Sequence, residues 1–370
     1  MKSTEQKLLP KAPLAIVVAA VAFALFVCLP PHQGPDSYMA AINDKDAALR
    51  HAVSPKLVLV GGSNLAFGMD SQSLQRQLPV AEVVNMGLHA GFGLDYMLKE
   101  VAPHIRAGDV VVIVPEYEQF FGMSHGHTTE LFQLLEVRPQ AIRCLANTEQ
   151  LEVLGRGLGD FLRRKFNCYE ERTRICFTYL KEHHSLAAFK HFFDPTPVLV
   201  PYTRSSFNQR GDVVAHKTLP APGFGEMKMT CAAEPDRDAI DTINSFAEAA
   251  IKQHARVFLC PPCIPRKLYL ENRSQLGALY KELSCELRVP ILSSFDSYVL
   301  PDQFFYDTYY HLTAGGIDYR VRRMAFDLRQ ELGNVPIAKS SVGDGMKNEC
   351  HREIAESLRG RPDKSWEGSL

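Results

Sequence analysis

Two short runs far apart in the chain hold the residue types of nucleophilic acyl chemistry. They are Val60-Gly61-Gly62-Ser63-Asn64 and Asp307-Thr308-Tyr309-Tyr310-His311-Leu312. A serine hydroxyl is a weak nucleophile until a neighbouring base takes its proton, and the base works best when a carboxylate orients it. Ser63 supplies the hydroxyl, His311 the base and Asp307 the carboxylate, the last two on one short segment. Each run alone also has a structural reading: Gly-Gly-Ser-Asn as a β-turn, and His311 as the cap of a helix beginning near Thr313. Together, at opposite ends of an α/β pattern, they point to a hydrolase or an acyltransferase.

The elements that must position these residues are legible around them. Ser63 follows Lys56-Leu57-Val58-Leu59-Val60, an apolar, β-branched run of strand length. Gly61-Gly62 then lets the backbone turn where a larger residue would clash. A serine there sits at the carboxyl edge of a sheet, where open α/β sheets place their ligands. Ala81 to Asn85 reads as a second strand and Asp109 to Val114 as a third, with a helix from Leu94 to Ala102 between them. Further on, a helix over Asp236 to His254 leads into a strand at Arg256 to Leu259. A helix over Asn272 to Glu286 then leads into a strand at Val289 to Leu292. Thr313 to Leu332 reads as a closing helix stopped by Gly333. This alternation predicts an α/β fold with a central parallel sheet and crossover helices.

Between Glu116 and about Lys217 the strand rhythm is lost. Thr129 to Leu135, Thr148 to Phe166 and Thr173 to Lys190 look helical, so about 119–217 reads as a mainly helical insertion, either shaping a substrate pocket or only packing beside the sheet. Gln33 to Pro55 is polar and reads as a stalk or short helix. Residues 334–370 are rich in Gly, Ser and charge and read as a mobile tail. The α/β domain proper is expected to span 56–333.

Leu14 to Leu29 is an unbroken apolar run of 16 residues, lengthened to 12–31 by its flanks and preceded by Lys2, Lys7 and Lys11. At about 1.5 Å per residue it roughly spans a hydrocarbon core of about 30 Å. Residues 1–11 are then expected in the cytoplasm and everything after Pro30 in the periplasm or outside the cell. A cleaved secretory signal, using Ala22-Phe23-Ala24, competes with an uncleaved single-pass anchor. The apolar residues that continue from Leu25 to Leu29 favour the anchor.

The formal net charge is -1 with Lys and Arg scattered, which speaks against a nucleic-acid partner. With 46% hydrophobic and 22% charged residues, the 370-residue chain has material for a substantial core. Nine cysteines are an odd count for an exported protein. With Cys28 in the span, disulfides among the other eight are possible, Cys168 and Cys176 being a plausible pair about a local loop. Cys260-Pro261-Pro262-Cys263 has redox-motif spacing without a thioredoxin-like context. His125-Gly126-His127 lacks a carboxylate or cysteine at helical spacing and reads as an exposed loop rather than a metal site. His183-His184 reads as solvated, and His89 is close enough to Gly87 to face a pocket.

On these residues the chain resembles the SGNH (GDSL-like) hydrolase superfamily. The likeness is greatest to its membrane-tethered members that act on cell-envelope polymers, such as the alginate acetylation proteins and the D-alanyl transfer protein of teichoic acid modification. The resemblance covers roughly Leu57 to Leu332, the middle third only loosely. It implies a three-layer α/β/α sandwich of SGNH or flavodoxin-like type. Gly61-Gly62-Ser63-Asn64 matches the first block, which carries the nucleophile. Asn85-Met86-Gly87 matches the second, whose glycine N-H helps hold the oxyanion. The last block puts acid and base on one loop, pointing to Asp307 and His311.

Two departures stand out. Three residues, rather than the usual two, separate Asp307 from His311, so either the loop bulges or Asp307 is placed differently. Where the third block normally gives an oxyanion-binding asparagine, this chain reads Val114-Pro115-Glu116-Tyr117-Glu118. A carboxylate donates no hydrogen bond unless protonated, and losing one such donor costs about 3 kcal/mol of transition-state stabilisation. Asn64 or Asn208 is then expected to assist the N-H groups of Ser63 and Gly87. Glu116 would bind a substrate hydroxyl or an arginine, or serve as a structural carboxylate. The resemblance implies a cell-envelope glycan or acyl ester as substrate and a multispanning membrane partner that hands over the acyl group. No metal or organic cofactor is required. Two other classes stay open: a non-catalytic assembly or binding subunit, and a thiol-redox protein using Cys260 and Cys263.

Overall fold

The first strand, β1 (Lys56–Gly61), is buried along its whole length, as its run of Leu and Val dictates for a strand covered on both faces. It lies between β2 (Glu82–Asn85) and β3 (Val110–Val114), and β3 pairs in turn with β4 (Arg256–Leu259). All three pairings are parallel, in the order β2-β1-β3-β4, with Leu57 opposite both Val83 and Val110, and Val110 opposite Arg256. The chain is therefore an α/β protein with a central parallel sheet. The computed structural model describes residues 17–18, 34–145, 148–189, 199–231 and 234–333. Apart from Val17 and Val18, the expected span at 12–31 lies outside these residues, as do 1–11 and 334–370. Among the described residues no helix is long and apolar enough to cross a membrane.

The strand order decides where a site can form. From β1 the chain steps outward to β2, then returns past β1 to β3, so the two crossovers run in opposite directions. Right-handed connections then put their helices on opposite faces and open a crevice at the carboxyl ends of β1 and β3. The short helix α3 (Ser71–Gln75) packs on β2 and on the closing helix α10 (Ala314–Leu332). By contrast, α4 (Gly93–Val101) packs on β1 and on α7 (Arg237–Lys252). The hydrophobic core runs through the sheet and includes Leu57, Val58, Val111, Val112, Leu98, Ile243 and Met324.

Several sequence expectations change on folding. Of the two readings of the polar stretch before β1, the short helix holds rather than the stalk: α1 (Ala41–His51) packs on β2 with Leu49 and Lys45 buried, and Tyr38 and Met39 are buried ahead of it. The second and third of the three helices expected in the insertion are one helix, α6 (Thr148–His183), of 36 residues. It packs on α5 (Thr128–Val137) through stacked Phe132 and Phe161 and through Lys165 on Glu136 at 2.9 Å. Cys168 and Cys176 therefore share one helix. Eight residues apart they are separated by a rise of about 12 Å, far outside disulfide reach, and neither forms a disulfide. The expected strand at Val289–Leu292 shrinks to a single bridge between Leu259 and Ile291. Pro290 has no N-H to continue the ladder, although its carbonyl accepts from Leu259 at 3.0 Å. After β4, β5 (Ile264–Pro265) pairs with β6 (Val299–Leu300) in a separate two-stranded sheet.

Candidate active site

At the carboxyl end of β1 the chain enters α2 (Ser63–Ala66), which starts at the serine. The need for glycine before it comes from close approach rather than from a left-handed turn, since Gly62 has φ -88°. A Cβ on Gly62 would stand 2.6 Å from Glu116 Oε1 and 2.9 Å from Ala90. Glu116 follows β3, so the crevice between β1 and β3 brings it onto Ser63. Ser63 Oγ donates to Glu116 Oε1 at 3.0 Å, and the Asn64 N-H donates to the same oxygen at 3.0 Å.

His311 arrives from the other end of the chain, on the loop before α10. Phe305 and Leu312 pair across that loop, and Tyr306 N-H donates to His311 O at 2.7 Å. A turn at Thr308 absorbs the additional residue: His311 N-H reaches Thr308 O at 3.3 Å and Thr308 Oγ1 at 3.2 Å. The result is Asp307 and His311 in contact, with His311 Nδ1 at 2.7 Å from Asp307 Oδ1. The far oxygen of Asp307 accepts from Tyr202 OH at 2.7 Å. Burial alone would raise the Asp307 carboxyl, but the hydrogen bonds from His311 and Tyr202 outweigh it and hold it below its ordinary value. Phe67, just beyond α2, stacks on the His311 ring at 4.0 Å and 11°.

Ser63, Glu116 and His311 line one cleft of about 540 Å³, together with His89, Tyr38, Tyr202, Tyr309 and Tyr310. Ser63 and His311 share the cleft without a direct hydrogen bond, the serine proton being held by Glu116. Burial, reinforced by nearby Glu118 and only partly offset by bonds from Asn64 and Ser63, pushes the Glu116 carboxyl up to about 7. Glu118 is itself bound by Tyr309 OH and Tyr310 OH, each at 2.7 Å. Burial lowers His89, whose Nδ1 accepts from Gly91 N-H at 3.1 Å.

The remaining sequence candidates belong to the framework behind the cleft. Asn64 is fully buried: its Nδ2 donates to Val114 O at 3.0 Å and its Oδ1 accepts from Arg320 at 2.9 Å. Asn85 is equally buried, donating to Leu65 O and Asp212 Oδ1, both at 2.9 Å. Its Oδ1 accepts the Gly87 N-H at 2.9 Å, so the donor expected at the oxyanion is already engaged. Asn208 folds its own loop, accepting from the N-H of Arg210 and of Asp212 and donating to Asp212 Oδ2. Lys45 ties this loop to the second block, Nζ donating to Asn85 O at 2.9 Å and Gly211 O at 2.5 Å.

Away from the cleft, His125-Gly126-His127 is a loop with His127 exposed, while His125 is bonded on both ring nitrogens, to Asp95 at 2.6 Å and Asp238 at 3.1 Å. Among the described residues no group of His, Cys, Asp and Glu is placed to hold a metal. Cys260 and Cys263 are buried, and burial pushes their thiols up to about 12 and about 11, opposite to what a reactive thiolate needs. Sequence reasoning missed Tyr38 and Tyr202 altogether. No motif marks them, since their place depends on contacts across the insertion and the segment before β1. A comparison with known protein families finds none that matches the chain, and a comparison with curated proteins finds no match either.

Proposed function

We propose that this chain is a serine esterase or O-acyltransferase of SGNH type, built as a three-layer α/β/α sandwich, acting on acyl esters of a cell-envelope glycan. The observation that carries the reading is the meeting of Ser63 and Asp307-oriented His311 in one cleft at the switch point of the sheet. Asp307 fixes the His311 tautomer with its proton on Nδ1, which leaves Nε2 as the base. The Ser63 hydroxyl turns from Glu116 toward Nε2, gives up its proton and attacks the acyl carbonyl. Such hydrogen bonds commonly tighten only once substrate is bound. Collapse of the tetrahedral adduct expels the alcohol, which takes the proton back from His311, and leaves an acyl-serine. Water then completes an esterase cycle, while a sugar hydroxyl completes a transfer.

Phenolic rings of Tyr38, Tyr202, Tyr309 and Tyr310 around the cleft suit a ligand with both apolar faces and hydroxyls. The apolar run at 12–31 behind Lys2, Lys7 and Lys11 supports an extracytoplasmic domain anchored in the cytoplasmic membrane and served by a multispanning acyl donor. A non-catalytic binding subunit is the second reading. It is favoured by the engagement of Ser63 with Glu116 and of the Gly87 N-H with Asn85. Hydrolysis of a short-chain aryl acetate by the full chain in detergent decides between them, alongside Ser63→Ala and His311→Ala. Activity lost in both variants is the expected result, with fluorophosphonate labelling of native protein but not of Ser63→Ala. Native protein that neither hydrolyses nor labels would leave the binding subunit.

A further inference from the structure

The oxyanion side of the cleft has an unfilled role. The Gly87 N-H is held by Asn85 Oδ1, and the side chains of Asn64 and Asn208 are bonded into the framework. The polar side chain that does stand beside Ser63 is Glu116. It is 7% exposed, and the charged group acting on it is Glu118 rather than a Lys or Arg. Its Oε1 takes the hydrogen bonds of Ser63 Oγ and the Asn64 N-H, and its side chain forms a capping box with Gln119 at the start of the following turn.

We propose that Glu116 acts as a neutral carboxylic acid whose O-H donates to the developing oxyanion, replacing the amide donor this position lacks. The inference rests on the serine-esterase reading and names a catalytic residue within it. In the attacking step Oγ bonds to the acyl carbon, its proton passes to His311 Nε2, and the carbonyl π pair moves onto oxygen. Glu116 lends a hydrogen bond and keeps its proton. An ionised Glu116 would set a second negative charge against that oxygen in a low-dielectric cleft, raising the barrier. The surroundings favour the neutral acid. Glu118 lies on the same turn, bound by Tyr309 and Tyr310, Tyr38 and His89 face the cleft, and Asp307 stands behind His311. Burial and Glu118 together hold the Glu116 carboxyl up to about 7.

The test compares Glu116→Gln, Glu116→Ala and Ser63→Ala with native full-length protein across pH 5.5 to 9, using aryl acetate hydrolysis. Gln keeps a donor and cannot ionise. It is expected to hold the rate within about tenfold of native at pH 6 and to lose the decline that native protein shows above about pH 7. Ala is expected to cost about 10²–10³ in rate. A Gln variant as inactive as Ala would make Glu116 a base instead, and an Ala variant as active as native would make it structural, and either overturns the proposal. Infrared difference spectra of native minus Glu116→Gln give a readout independent of turnover. A protonated-carboxyl band at pH 6 that disappears by pH 9 is expected, and its absence at pH 6 overturns the proposal. Hydrolysis that survives Ser63→Ala would instead sink the esterase reading itself and this role with it.

Discussion

Arg320, on the closing helix, reaches Asn64 with both arms of its guanidinium: Nη1 donates to the backbone carbonyl at 2.6 Å and Nη2 to Oδ1 at 2.9 Å. The two residues are 256 positions apart, and both are completely buried. Arginine suits this place because its planar fork presents two donors at fixed spacing. The helix that follows the His311 loop thus grips the residue next to Ser63. The two halves of the candidate site are joined through the protein interior as well as across the cleft.

Replacing Arg320 by Lys keeps the charge but loses the fork. We expect a loss of about 1.5–3 kcal/mol in urea unfolding, the range for a hydrogen bond to a charged group. Slower fluorophosphonate labelling at Ser63 should accompany it. Unchanged stability and labelling would show that the bidentate grip is dispensable.

Asp307 and Tyr202 should separate in their effects on turnover. Asp307→Asn leaves the loop geometry but disturbs the His311 tautomer, and a fall in kcat of about 10³–10⁴ is expected. Tyr202→Phe removes a 2.7 Å bond to the outer oxygen of a carboxylate that still holds His311, so a fall of only about tenfold is expected. Measuring kcat for both on one ester checks the order, and equal losses would refute it.

Lys45 offers a pH dependence away from the cleft. Burial, against weaker support from Asp212 and Asp44, lowers its ammonium to about 7, whereas an unfolded lysine titrates near 10.4. Between those values the unfolded chain binds the additional proton, so unfolding free energy contributed by this group rises with pH. Native protein is therefore expected to gain stability relative to Lys45→Met from pH 7 to pH 9 in urea titrations. A difference that stays flat across that range would place the folded value near that of ordinary lysine.

Cys260 and Cys263 should behave as core residues. Their buried thiols are expected to resist a disulfide reagent at pH 8 until the protein is unfolded, while exposed Cys285 reacts at once. Ala substitution of both should leave ester hydrolysis within about twofold of native. Rapid reaction of either thiol in the folded protein would reopen a redox role.

Local chemistry determined the four strands of the parallel sheet, most of the helices and the residue types of the candidate site. Runs such as Leu57 to Val60 and Val110 to Val114 are fully buried in the sheet because β-branched and apolar side chains without polar alternation suit a strand covered on both faces. The helix over Arg237–Lys252 and the stop at Gly333, with φ +82°, follow from periodicity and glycine alone. The sequence also placed Asp307 and His311 on one loop, since both lie within five residues. Tertiary structure decided which polar atoms are free. Asn64, Asn85, Asn208 and the Gly87 N-H satisfy one another, or partners such as Arg320 and Asp212, because a buried donor or acceptor left unpaired is costly. Those partners lie up to 256 residues away, a distance no motif spans. The same long-range packing set Glu116 on Ser63, brought Tyr38 and Tyr202 to the cleft wall, and made one helix of 148–183. Each depends on which surfaces meet once the sheet has formed, and pairings of that kind are specified by the fold as a whole rather than by neighbouring residues.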